Sequence, residues 1–141
     1  MANEAILWFE TEIPIPFTVA NATGVEKGAY MQLSDPMTAA ICSGDADLFA
    51  GIASKEKIAS DGNTKLGLFR GGYFKGTASG NIAVGDPLAV DGSDGQNLLY
   101  SVLLTESISG CRVIGTSMET ATTLQTFIFE LKPYPRIDSR V

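Results

Sequence analysis

Catalysis and metal binding need side chains that carry protons, lone pairs or charge at short spacing, and this chain of 141 residues offers few of them. It contains no histidine, which removes the group most used for proton transfer near neutral pH, for zinc and iron ligation and for nucleophile activation. Cys42 and Cys111 stand far apart, in no Cys-x-x-Cys spacing, so neither a redox pair nor a thiolate zinc site is offered and buried thiols are expected. Asp45-Ala46-Asp47 and Asp91-Gly92-Ser93-Asp94-Gly95 gather carboxylates as a calcium loop would, but neither runs on into the EF-hand pattern with its closing glutamate. Asp-Gly turns account for them. Gly71-Gly72-Tyr73 and Gly76-Thr77-Ala78-Ser79-Gly80 are glycine-rich like phosphate loops, yet no Gly-Lys-Ser/Thr follows and no helical pattern begins there, so both read as turns. Without histidine a hydroxyl nucleophile would need a lysine base, and none is taken to be placed for it. The expectation is no catalytic, cofactor-binding or metal-ligating residue at all.

Binding by large side chains is the remaining chemistry. Trp8 and Phe9 lie in an N-terminal stretch that also holds Glu4, Glu10 and Glu12 without a cation, and Ile13 and Ile15 flank the prolines of Pro14-Ile15-Pro16, which force an extended backbone. Aromatic side chains anchor interfaces, and an extended segment can add to an exposed sheet edge, so an interface role is favoured over capping of the core. At the other end Lys132, Arg136 and Arg140 face a single acid, Asp138, behind a second extended unit, Pro133-Tyr134-Pro135. The two ends carry opposite charge. Trp8, Phe9, Glu10, Glu12, Ile13, Ile15, Arg136 and Arg140 are therefore the candidate interface residues.

The elements between the ends must position them. A hydrophobic content of 45%, a charged content of 18% and a mean hydropathy of +0.14 are too apolar for a disordered chain and leave apolar surface for a partner. The net charge of −6 argues against nucleic acid as a ligand, no apolar stretch approaches the roughly 20 residues that span a bilayer, and the N-terminus lacks the basic start of a signal peptide. Fifteen glycines and six prolines cut the chain into short runs rich in β-branched and aromatic residues, which predicts an all-β fold of one compact, glycine-rich domain, barrel-like or sandwich-like, with one core. Period two is explicit from Leu124 to Leu131. The run from Leu66 to Phe74 reads as its counterpart, with Gly71 and Gly72 marking a bulge or a close backbone approach. Gln96 to Leu104 is left open between strand and short helix. An arm over residues 1–16, a β domain over 17–131 and a tail over 132–141 complete the division.

The middle of the chain repeats a plan. Val25 to Leu33 and Ile82 to Val90 share one pattern of aliphatic residues around a glycine, and each is followed by a glycine-centred run, Phe49 to Ala53 and Val113 to Ser117. The copies stand 57 residues apart at the first glycines and 64 at the second.

Phe17-Thr18-Val19-Ala20, the turn from Gly28 to Pro36, Phe49-Ala50-Gly51-Ile52-Ala53, Gly85-Asp86-Pro87-Leu88-Ala89-Val90 and Val113-Ile114-Gly115-Thr116-Ser117 together resemble the small capsid decoration, or cement, proteins of tailed bacteriophages. The resemblance spans residues 17–131. It implies a β-tulip-like domain without enzymatic activity, bound as a homotrimer to the outside of a capsid, with the major capsid protein as partner. It also implies a virion protein assembled in the host cytoplasm. Two other classes are weighed against it. A surface binding module, a head fibre base or carbohydrate-binding domain, would use exposed aromatics, for which Tyr30, Tyr73 and Tyr100 are the candidates. A trimeric dUTPase would need a glycine-rich C-terminal arm, which Lys132 to Arg136 does not provide.

Overall fold

Short apolar runs can satisfy their backbone only by pairing with one another, and the computed structural model, which describes residues 3–44, 48–91, 97–102 and 113–133, is built of strands alone. In chain order they are β1 (Ile6–Phe9), β2 (Ile15–Thr18), β3 (Tyr30–Asp35), β4 (Thr38–Ile41), β5 (Phe49–Ala53), β6 (Lys65–Phe69), β7 (Gly72–Ala78), β8 (Pro87–Asp91), β9 (Leu98–Ser101), β10 (Gly115–Ser117) and β11 (Thr126–Leu131). The strands β2-β4-β3-β5-β6 close into a barrel. The second sheet runs β1-β7-β11-β10-β8-β9, and a further pairing of β7 with β9 closes its last five strands into a ring, with β1 added outside.

Both rings follow the same plan, so the repeat visible in the sequence is a repeat of hydrogen bonds. Val25 and Lys57 exchange backbone bonds in the first barrel as Ile82 and Ala121 do in the second. Gly28 N–H donates to Ala53 O, and Gly85 N–H to Ser117 O; Ala53 N–H donates to Ala29 O, and Ser117 N–H to Asp86 O. Gly28 and Gly85 have φ of 89° and 90°, the left-handed conformation that glycine enters without a Cβ penalty. Each barrel also closes through one short parallel contact, Thr18 with Thr38 and Thr77 with Leu98.

The expected single core is two connected interiors. Phe17, Val19, Val25, Met31, Leu66 and Leu68 fill the first barrel. A second cluster of Phe74, Leu88, Leu99, Ile114, Phe127 and Phe129 fills the other and extends through Tyr30, Phe49, Ile52 and Phe69 of the first, so the two barrels share one apolar seam. Phe127, Phe129 and Leu131 are buried on one face of β11, as period two requires.

Two local readings need correction and one left open is decided. Leu66 to Phe74 is not one interrupted strand: β6 ends in the first barrel, and Gly71 and Gly72 carry the chain into β7 of the second. Gly76 is not in a turn but within β7, where a Cβ would meet Leu99, Phe129 and the Tyr30 hydroxyl within 3.0 Å, so the glycine makes room for the seam. The segment left open from Gln96 contains β9, a strand.

Tyr30 reaches from β3 into this seam, fully buried, and its hydroxyl has no hydrogen-bond partner among the described residues. Burial, then the nearby Cys42 and Glu4, pushes its ionisation far above the ordinary tyrosine range and keeps it neutral. An unpaired buried hydroxyl costs about 1 kcal/mol or more. Tyr30→Phe is therefore expected to raise the unfolding free energy by about 1 kcal/mol, read as a higher denaturant midpoint at unchanged slope; a loss of stability would show that the hydroxyl is bonded in solution.

A candidate docking face on the edge strand

A strand that pairs along one edge normally buries one of its two faces, and β1 buries neither. It pairs antiparallel with β7, Ile6 opposite Lys75 and Leu7 opposite Phe74, while all four of its side chains stay exposed. Ile6, Trp8 and Phe9 are each more than half exposed. A bulge between Leu7 and Phe9 breaks the alternation and turns both rings toward Tyr73. Trp8 meets Tyr73 edge-on at 6.4 Å, and Phe9 lies tilted against it at 6.4 Å. The result is an aromatic platform at the side of the second barrel.

The pair Gly71 and Gly72 lets the N-terminal segment lie this close. A Cβ on Gly72 would come 3.1 Å from the Phe9 carbonyl oxygen, and one on Gly71 would press on the Glu12 carboxylate. The close approach expected at these glycines is thus present, and the bulge belongs to the facing strand. The N-terminal segment is part of the folded domain, since β1 is hydrogen-bonded to β7 and Ala5 is buried in the seam. The boundary drawn after residue 16 falls inside β2, which begins at Ile15.

Six of the eight candidates lie in one continuous described stretch, residues 8–15. Trp8 and Phe9 lie on β1, Ile15 opens β2 half-exposed, and Glu10, Glu12 and the strongly exposed Ile13 stand on the connection between them. Neither Glu10 nor Glu12 makes an ion pair among the described residues. Arg136 and Arg140 lie outside the described residues. Ile6 and Leu7 belong to the face but were not among the candidates, and Tyr73 was a candidate only for the binding-module alternative. The uninterrupted apolar run from Ile6 to Phe9 was the available signal for the first two, and Tyr73 comes from a strand distant in sequence.

Prolines set this edge apart from its counterpart. By the shared plan β2 corresponds to β7, and the edge of β7 that β1 covers corresponds to the edge of β2 above Thr18. Thr18 N–H points across that edge to Met37 O, so Pro16 and Pro14, at alternate positions before it, would present theirs on the same side and have none. The first barrel's edge is guarded against strand addition. The outer edge of β1 contains no proline and carries no further strand among the described residues.

The remaining groups do not assemble chemistry. No cluster of three Cys, Asp or Glu suited to a metal occurs among the described residues. Cys42 is buried, whereas Cys111, the Asp45 to Asp47 run and Gly92 to Gly95 lie outside the described residues. Ser54 and Lys57 do stand in a Ser-x-x-Lys spacing, which corrects the expectation that no lysine is so placed. They are used otherwise: Ser54 Oγ donates to Gly67 O at 2.8 Å, and Lys57 Nζ donates to the carbonyls of Asn21, Thr23 and Ile58.

Known proteins match this arrangement. The model of the phage cement protein family matches residues 10–130. Among solved structures, the N base of head fibre gp8.5 of bacteriophage phi29 superposes with a TM-score of 0.53 at 15% identity, over 84% of this chain and 93% of that one. At that identity the likeness is one of fold. No curated protein sequence matches the chain.

Proposed function

Since the chain belongs to the phage cement protein family, a family of structural head proteins, we propose that it binds the outside of a capsid and stabilises the mature head by bridging neighbouring major capsid protein subunits. The observation that carries the docking site is β1, a strand of large apolar side chains exposed on both faces and flanked by Glu4, Glu10 and Glu12. Isolated exposed apolar residues are ordinary on protein surfaces, but a contiguous run of this kind marks an interface. The matching capsid surface is apolar at its centre, with cations around it. Copies stand in threes around the threefold axes of the shell and are assembled onto it in the host cytoplasm. A domain that engages two or more subunits at once holds better than one contact allows, because the second engagement is intramolecular.

Titrating the protein onto undecorated heads tests the reading. The double variant Trp8→Ala/Phe9→Ala is expected to keep the strand circular dichroism of the parent while its occupancy of heads weakens at least tenfold, about 1.4 kcal/mol. Undiminished decoration by the variant would move the docking site away from β1. Failure of the parent chain to bind heads at all would remove the cement reading itself. A second reading, the base of a head fibre, is favoured by the fold shared with the phi29 protein, and electron microscopy of decorated heads separates the two by whether a projection rises from each copy.

A further inference from the structure

We propose that the C-terminal residues 134–141 of one copy add as a strand to the outer edge of β1 in a second copy. The acceptor is the proline-free edge of β1, the outermost strand of its sheet. Unpaired backbone groups at such an edge are a template for another chain.

The tail has the composition of the missing strand. After Pro133 and Pro135 it reads Arg136-Ile137-Asp138-Ser139-Arg140-Val141, with no proline or glycine. In an extended conformation Ile137, Ser139 and Val141 share one side, and Arg136, Asp138 and Arg140 the other. Its two arginines complement Glu10 and Glu12, which make no ion pair among the described residues and follow β1 directly.

Geometry favours a second copy over the same chain. The tail leaves β11, which is separated from the outer edge of β1 by β7 and β1 itself. Crossing three strand spacings takes about 14 Å. The four residue steps from Lys132 to Arg136 reach about 14 Å only when fully straight, which leaves no length to round the end of the sheet. From a neighbouring copy the approach has no such limit.

Full-length charge variants test this without a capsid, so its failure leaves the capsid reading standing. Sedimentation equilibrium at low salt is expected to show self-association of the parent, with a blue shift of emission from Trp8, the single tryptophan. Glu10→Lys/Glu12→Lys and Arg136→Glu/Arg140→Glu should each weaken association at least tenfold. An equimolar mixture of the two should recover it, because the lysine-bearing edge of one then meets the glutamate-bearing tail of the other. A parent that stays monomeric at high concentration overturns the proposal, as does association that neither variant weakens. Failure of the mixture to recover association overturns the exchange as well.

Discussion

Lys57→Met is expected to destabilise the protein by about 3 kcal/mol, although Lys57 is far from the docking face. Its side chain is fully buried, and its ammonium lies 2.8 Å from Asn21 O, 3.2 Å from Thr23 O and 3.2 Å from Ile58 O, with the Asp61 carboxylate at 3.4 Å. Three carbonyls converge on one cation, Asn21 O accepting also from the Ser60 N–H, and the ammonium closes the loop between β2 and β3 onto the loop between β5 and β6. Methionine keeps the stem and removes the donors, so the loss reads the polar term rather than a cavity. For a chain of this size the melting temperature should fall by about 10 °C. A loss below about 1 kcal/mol would mean that water replaces the ammonium at these carbonyls. Asp61 adds an acid-sensitive share. Its carboxylate is held below the ordinary value of 3.8, chiefly by the Asn63 N–H and further by Lys57. That share is full above 3.8 and fades as pH falls through the lower folded value.

In the second barrel the residue at the place of Lys57 is Ala121, bridged to Ile82 as Lys57 is to Val25. The repeat in the sequence could reveal that correspondence because it is local: glycine spacing, aliphatic spacing and turn chemistry lie within a few residues. For the same reason β11 was legible, since Phe127, Phe129 and Leu131 all face one interior. Barrel closure was not, because it depends on single parallel contacts between distant strands, such as Thr18 with Thr38. The division of Leu66 to Phe74 between two sheets was hidden too, because a glycine pair between two apolar runs marks a bulge within one strand as readily as a change of sheet, and the φ of 121° at Gly72 that records the change of direction is not visible in the sequence. At the proposed docking face Trp8 and Phe9 stood out in the sequence by size and acidic neighbours, and the structure leaves both exposed. Their strand was not legible, because β1 is exposed on both faces and exposure on both faces leaves no period to detect.

The repeat also supplies a matched pair of substitutions that isolates what holds β1 in place. Gly28→Ala and Gly85→Ala put the same methyl group on equivalent turns at nearly equal positive φ, so both should lose roughly 1 kcal/mol from the backbone conformation. Around Gly85 there is nothing within 4 Å, and that variant should lose no more. At Gly28 the added Cβ would overlap the Ala5 carbonyl oxygen and crowd the Ala5 amide and Glu4 Cβ at 3.1 Å. The Ala5 N–H donates to Gly28 O at 2.8 Å, and Ala5 is buried in the seam, so the methyl group must push residues 4 and 5 away from the first barrel. Gly28→Ala should therefore lose about 3 kcal/mol in total, or release the N-terminal segment at smaller cost. In either case β1, which begins one residue after Ala5, loses its anchor. Trp8 emission should shift to the red as its contact with Tyr73 opens, and occupancy of heads should fall with it, while Gly85→Ala leaves both as in the parent. Equal losses from the two variants, with Trp8 emission unmoved, would show that β1 is held by its pairing with β7 alone and that the first barrel takes no part in presenting the docking face.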